Sequence, residues 1–171
     1  MCKNTFMSKN KPRIPTFSEL LQNPMLMFGF GFGSGLSPKA PGTVGTLLGM
    51  LLFIPILLWS ETAAWIVLAI GLFAGSVICG KSSDYMDVHD HGGIVWDEFV
   101  GIWLVLIVLP VQSWEYWLAA FIAFRVFDIW KPWPIKTVDQ QVSGGFGIML
   151  DDVLAAIYSI FVIWIGFIVL I

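Results

Sequence analysis

Five apolar stretches, at roughly residues 43–59, 62–80, 94–110, 115–130 and 152–171, take up most of this chain. Each has the length needed to cross or nearly cross about 30 Å of hydrocarbon at 1.5 Å per helical residue. Inside a bilayer the backbone must satisfy its own hydrogen bonds, so helices are the expected form. Composition agrees: 57% of the 171 residues are hydrophobic and 12% are charged, about half the charged share usual in soluble proteins. The expected fold class is all-α, a multi-pass membrane helical bundle with about four to five hydrophobic helices.

The charges orient that bundle. All nine Lys and Arg residues fall on one side of the threading, and only the short connections near Ser60-Glu61 and Pro110 to Glu115 lie on the other. Basic residues beside membrane segments mark the cytoplasmic side. The chain is therefore expected to start inside, with 81–93 and 131–151 also inside, a parity that Lys39, Lys81, Arg125, Lys131 and Lys136 all obey. The third and fourth stretches are weaker spans. Asp97-Glu98 sits in one and Arg125 with Asp128 in the other, and an ionisable group at mid-helix costs roughly 2.5–3.5 kcal/mol on insertion scales. These two stretches are expected to start above the bilayer or to dip in only partly. Trp59, Trp65, Trp103, Trp114, Trp117, Trp130, Trp133 and Trp164 mostly lie near segment ends, the pattern of an interfacial aromatic belt.

Residues 1–23 are polar and basic and read as a mobile tail, or as a surface helix around Phe17 to Leu21, ahead of a single membrane domain over 24–171. The apolar run Met25 to Phe32 is short and followed by SGLSPKAPG, which is no cleavage site, so a removed signal peptide is not expected. Cys2 and Cys79 lie far apart, without a second thiol at metal-ligand spacing, and are expected to be free. A net charge of −3 with no basic stripe gives no reason to expect nucleic acid as a partner.

The polar motifs share the cytoplasmic face. Asp97-Glu98 and Asp151-Asp152 are adjacent acidic pairs at the cytoplasmic starts of two hydrophobic helices, where they would repel unless countered. Acids in a first helical turn also complement the macrodipole, an effect worth about 0.3–1 kcal/mol, and that alone could explain one pair. For two pairs with Asp128 between them in sequence, a divalent ion is the simpler counter-charge, and hard carboxylates without cysteine favour magnesium, Mg²⁺, over zinc. Gly101 beside the first pair leaves room for an ion or for a partner helix.

Arg125, Asp128 and Lys131 fall at i, i+3 and i+6 and so share a helix face. An Arg-Asp pair would make burial tolerable; alternatively Asp128 joins the metal cluster while Arg125 and Lys131 hold a phosphate, with Lys39 adding a contact from its glycine-rich loop. His89 and His91 alternate with acids in DVHDHGG and could bind a metal, shuttle protons, or belong to a loop that merely positions Asp97. SGGFG at 143–147 reads as an anion-binding nest or an ordinary turn. There is no DxDx(T/V) aspartyl-phosphate motif, no arginine at the sixth position after Cys79, no PSGH signature and no DGxxAR run. Water activated by a metal is thus favoured over a covalent enzyme intermediate.

GFGSGLSPKAPGTVGT, VHDHGGIVWDEFVGIW, FRVFDIWKPWPI and GGFGIMLDD occur in the order, and at about the spacing, of bacterial phosphatidylglycerophosphatase A, and the resemblance spans roughly residues 28 to 160. It implies a Mg²⁺-dependent lipid phosphatase of the cytoplasmic (inner) membrane that converts phosphatidylglycerophosphate and water to phosphatidylglycerol and inorganic phosphate. On this reading Asp97, Glu98, Asp128, Asp151 and Asp152 supply the metal site. His89 or His91 protonates the leaving alkoxide or deprotonates the water, and Arg125, Lys131 and Lys39 stabilise the phosphoryl charge. Two alternatives stand beside it. A small membrane transport or assembly protein would spread its charges across membrane depth rather than crowd them on one side, and a phosphatase for another lipid phosphomonoester would keep the same fold.

Overall fold

A computed structural model of the protein describes residues 13–88 and 91–170, and every regular element among them is helical. In chain order these are α1 (Phe17–Gln22), α2 (Pro24–Gly29), a 3₁₀ turn (Gly31–Leu36), α3 (Pro41–Trp59), α4 (Glu61–Met86), α5 (Trp96–Ile107), α6 (Trp114–Trp130), α7 (Ile135–Gln141) and α8 (Gly144–Leu170). The architecture is the all-α membrane bundle that the apolar pattern requires.

Three helices, Pro41–Trp59, Glu61–Met86 and Gly144–Val169, are long and apolar enough to cross a membrane. The third apolar stretch forms a shorter helix than its length in sequence suggests, in agreement with the weak span expected of it. Its helix, α5, has 12 residues, about 18 Å at 1.5 Å per residue, and so falls well short of a bilayer's hydrocarbon. Its apolarity serves a different purpose. Phe99, Val100, Ile102 and Leu106 are fully buried, and α5 packs against α3, α4, α6 and α8 as the centre of the bundle. Trp103 is likewise buried rather than interfacial: its indole N–H donates to the Gly49 carbonyl of α3 at 2.9 Å, while Trp96 donates to Gly71 of α4 at 3.2 Å. By contrast Trp59, Trp114, Trp130 and Trp133 are exposed at helix ends, as an aromatic belt requires.

Small residues let the long helices approach this centre. Gly42, Gly45, Thr46 and Gly49 form one buried stripe on α3, and Gly45 and Gly49 receive Val95 and Phe99. The far end of α5 is closed by side chains. Gln112 donates to the Leu106 carbonyl at 2.9 Å, Trp164 of α8 donates to the Val108 carbonyl at 2.9 Å, and Trp117 donates to Gln112 at 3.0 Å.

Within the segment read as a tail, α1 realises the surface-helix alternative. A capping box between Thr16 and Glu19 starts it, Arg13 pairs with Glu19, and Leu20 is fully buried. The segment is thus joined to the body from Arg13 onward.

Candidate active site

Helix starts and ends converge at one end of the bundle: the N-termini of α3, α5 and α8 and the C-terminus of α6. Asp97 and Glu98 lie in the first turn of α5, and Asp152 lies about two turns into α8. Gly101, one turn below Asp97, is the close contact that allows this. Its missing side chain admits the Phe124 ring of α6 and the Asp152 backbone of α8, so the space beside the first acidic pair holds partner helices.

One carboxylate oxygen from each of Asp97, Glu98 and Asp152 lies within 4.8 Å of the others. Asp128 adds its negative charge to the field at both Glu98 and Asp152. The nearest cation is Arg125, whose Nη1 is 2.5 Å from Asp128 Oδ2, 3.7 Å from Glu98 Oε1 and 3.4 Å from Thr46 Oγ1. Four carboxylates thus face one guanidinium in a largely buried site. Two oxygens, Glu98 Oε2 and Asp152 Oδ2, are buried without a hydrogen-bond partner among the described residues. Unsatisfied buried anions are costly, and a hard divalent ion bound by oxygen ligands fits both their charge and their open lone pairs.

The adjacent pair at 151–152 divides its work. Asp151 turns away from the three-carboxylate group to Lys131, whose Nζ lies 2.5 Å from Asp151 Oδ2 and 2.7 Å from Asp139 Oδ1. Burial alone would lower the Lys131 ammonium's pKa, but its hydrogen bonds to Asp139 and Asp151 hold it above the ordinary lysine value. The expected common face of Arg125, Asp128 and Lys131 therefore extends only to the first two. Lys131 is the C-cap of α6, in the left-handed region at φ 44°, so the helical path ends there and its side chain joins α7 and α8. Lys131 is consequently engaged by two carboxylates rather than free for a phosphate. Asp139 of α7, which completes this link, had no signature in the sequence.

His91 does not join the group whose ligand atoms come together. It is buried; its Nδ1 accepts the Gly93 N–H at 3.1 Å, so Nε2 carries the proton and donates to the Arg13 carbonyl at 2.9 Å. Both ring nitrogens are thereby committed to holding the loop and the N-terminal segment together, which leaves neither for proton transfer to a substrate. His89 lies outside the described residues. Lys39 is exposed in the loop before α3, where its carbonyl accepts from the Ser37 hydroxyl at 2.9 Å.

The N-terminus of α3 borders the site. A β-carbon on Gly42 would collide with Glu98 Oε1 and come within 3.1 Å of Arg125 Nη2, so glycine brings the first turn of the helix against these side chains. Pro41 opens the helix without a capping side chain, and its first amides lack partners within the helix. Such an end favours anions. Thr46, one turn on, accepts from Arg125 and donates to the Gly42 carbonyl at 2.8 Å; the small-residue spacing of PGTVGT was its signal in the sequence. SGGFG serves close packing, since Gly145 sits in α8 against the Ser76 carbonyl and Gly80 of α4.

Comparison with known proteins gives this geometry a family. A protein of Haemophilus influenzae named Phosphatidylglycerophosphatase A is 48% identical over 145 residues, 84% of this chain and 89% of the relative. One of the same name from Escherichia coli is 44% identical over 144 residues, 81% of each chain. A Bacteroides thetaiotaomicron protein named Putative phosphatidylinositol-3-phosphatase is 41% identical over 148 residues, 81% of this chain and 90% of the relative. No solved structure matches the chain. The family model Phosphatidylglycerophosphatase A matches residues 27–167, a span that holds every carboxylate of the site, and the chain belongs to the phosphatidylglycerophosphatase A family.

Proposed function

We propose that the protein is a Mg²⁺-dependent phosphatase that removes the terminal phosphate of phosphatidylglycerophosphate at the cytoplasmic face of a bacterial inner membrane. The observation that carries this reading is the convergence of Asp97, Glu98 and Asp152 beside Arg125 and the first turn of α3. The names of the two relatives at 44% and 48% identity supply the substrate. The orientation is supported by Lys39, Lys81, Lys131 and Lys136, which all flank the site end of the bundle.

Asp97, Glu98 and Asp152 would hold Mg²⁺, with Asp128 close enough to contribute charge. When bound, the ion supplies Lewis-acid polarisation of the phosphoryl group. Arg125 stabilises charge on the phosphoryl oxygens, and its 2.5 Å pair with Asp128 fixes the direction of the guanidinium. The free amides of the α3 first turn bind a further phosphoryl oxygen, and Lys39 screens the approaching anion from the exposed loop. Lys131 acts at one remove: by holding Asp151 it sets the rotation of α8 that turns Asp152 inward. His89 remains the proposed donor of a proton to the leaving alkoxide.

The test is phosphate release by purified protein in detergent with saturating Mg²⁺. Asp97→Asn and Asp152→Asn are each expected to lose at least about 100-fold in turnover, the scale on which a charge-stabilising group acts. Near-normal turnover in both would overturn the assignment. The Bacteroides relative favours a second reading with a different lipid phosphomonoester. A panel of phosphatidylglycerophosphate, phosphatidylinositol 3-phosphate and phosphatidic acid separates the two by which lipid has the highest kcat/KM.

A further inference from the structure

Helix α6 touches α3 far less than it touches α8. In the thin α3–α6 seam lie two hollows in line. The upper, about 510 Å³, is bordered by Thr43, Ile129 and Arg125, and the lower, about 380 Å³, by Leu51, Pro55 and Leu118. From Thr43 to Pro55 the seam runs about 18 Å at 1.5 Å per residue, close to one leaflet of a hydrocarbon layer about 30 Å thick. Its walls are apolar except at the site end, where it borders Arg125, itself paired with Asp128, and the open first turn of α3. A groove of one-leaflet length, apolar below and ending at the candidate phosphate site, matches a lipid whose head reacts there.

A larger hollow of about 660 Å³ lies between α6 and α8, from Glu115 and Phe167 up to Phe127. It borders no cation, and its only charged side chain is an acid at the far end. The seam that opens beside Arg125 is therefore the better match.

We propose that the α3–α6 seam is the acyl-chain groove of the substrate: the lipid enters sideways from the bilayer, one fatty acyl chain lies along the seam, and its phosphate head rests at Arg125. This rests on the lipid-phosphatase reading for the identity of the head, and the experiments below let the two fail separately. The acyl chain moves from one apolar medium to another, so it is held by packing rather than by the hydrophobic effect. What the groove gives is position, placing the phosphomonoester at a fixed depth against the carboxylates.

Leu51→Trp and Leu118→Trp fill the lower hollow with side chains remote from the carboxylates. On long-chain phosphatidylglycerophosphate in micelles each is expected to raise KM about tenfold, equivalent to losing about 1.4 kcal/mol of binding. On the water-soluble headgroup analogue without acyl chains, kcat/KM stays at the wild-type value. Equal losses on both substrates, or a loss on neither, overturn the groove.

A second measurement needs no turnover. Phosphatidylglycerophosphate with a diazirine near the end of one acyl chain is irradiated with wild-type protein in phosphatidylethanolamine vesicles. Adducts are expected at Pro55, Trp114 and Leu118. Adducts around Val162 and Phe167, or no adduct in the seam, overturn the proposal. Failure of the phosphatase reading looks different: wild-type protein releases phosphate from no lipid while the adduct map at the seam stands.

Discussion

Asp151 and Asp152 are neighbours in sequence and opposites in function. Successive side chains on a helix point about 100° apart, so one faces Lys131 and the other faces Asp97 and Glu98. The sequence places both acids at a helix start, but α8 begins at Gly144 and carries them about two turns in, and its rotation is held by contacts across the bundle, Lys131–Asp151 among them, that no local pattern reports. The same holds for Lys131, whose spacing from Arg125 suggests a shared face until the left-handed C-cap redirects it. Asp97, Glu98 and Arg125, by contrast, were legible, because a charged residue inside an apolar run must have a partner or a task. Lys131→Met should destabilise the protein by about 1–3 kcal/mol, between the costs of breaking exposed and buried pairs, since Asp151 would be left buried near other acids. Adding Asp151→Asn should recover most of that loss, as read by thermal unfolding in detergent. The lysine's folded-state pKa is raised, so its contribution is fully present below the unfolded value near 10.4 and fades only as pH climbs above that. The destabilisation by Lys131→Met should therefore not shrink between pH 7 and pH 9, and a marked decline over that range would contradict the pair.

At the scale of elements, the long helices were legible from apolar length. The third apolar stretch was harder to place, because a run that is apolar all round suits burial in protein as well as burial in lipid. What decides is length: α5 spans 12 residues, and the tryptophan N–H groups at positions 96 and 103 find glycine carbonyls on α4 and α3. Glycines on the long helices mark where backbones touch. Gly145→Ala would drive a methyl into the Ser76 carbonyl and the Gly80 backbone of α4, and neither is a flexible side-chain tip that can yield. The expected cost is about 1–3 kcal/mol, the usual range for overpacking, seen as a lower unfolding temperature. Gly166→Ala on the same helix meets nothing within 4 Å and should be neutral or stabilising by up to about 1 kcal/mol through helix propensity. Equal responses at the two positions would refute the close α4–α8 approach.

For the whole molecule, the separation of charge along the bundle axis predicts how it lies. Lys39, Lys81, Lys131 and Lys136 flank the end that carries the carboxylates, and Ser60 and Gln112 mark the opposite end. With both native cysteines replaced by serine, Ser60→Cys in intact cells stripped of their outer membrane should react with a membrane-impermeant maleimide. Ser37→Cys should react only after permeabilisation, and the reverse pattern would turn the site outward. Gln112 and Trp164 donate to the Leu106 and Val108 carbonyls at the end of a helix that stops short, and Trp117 holds the Gln112 side chain. The carboxylates gather at one end of the bundle, and these side-chain bonds close the far end of the helix that carries two of them, so the polar centre is not continued by bare backbone toward the opposite side.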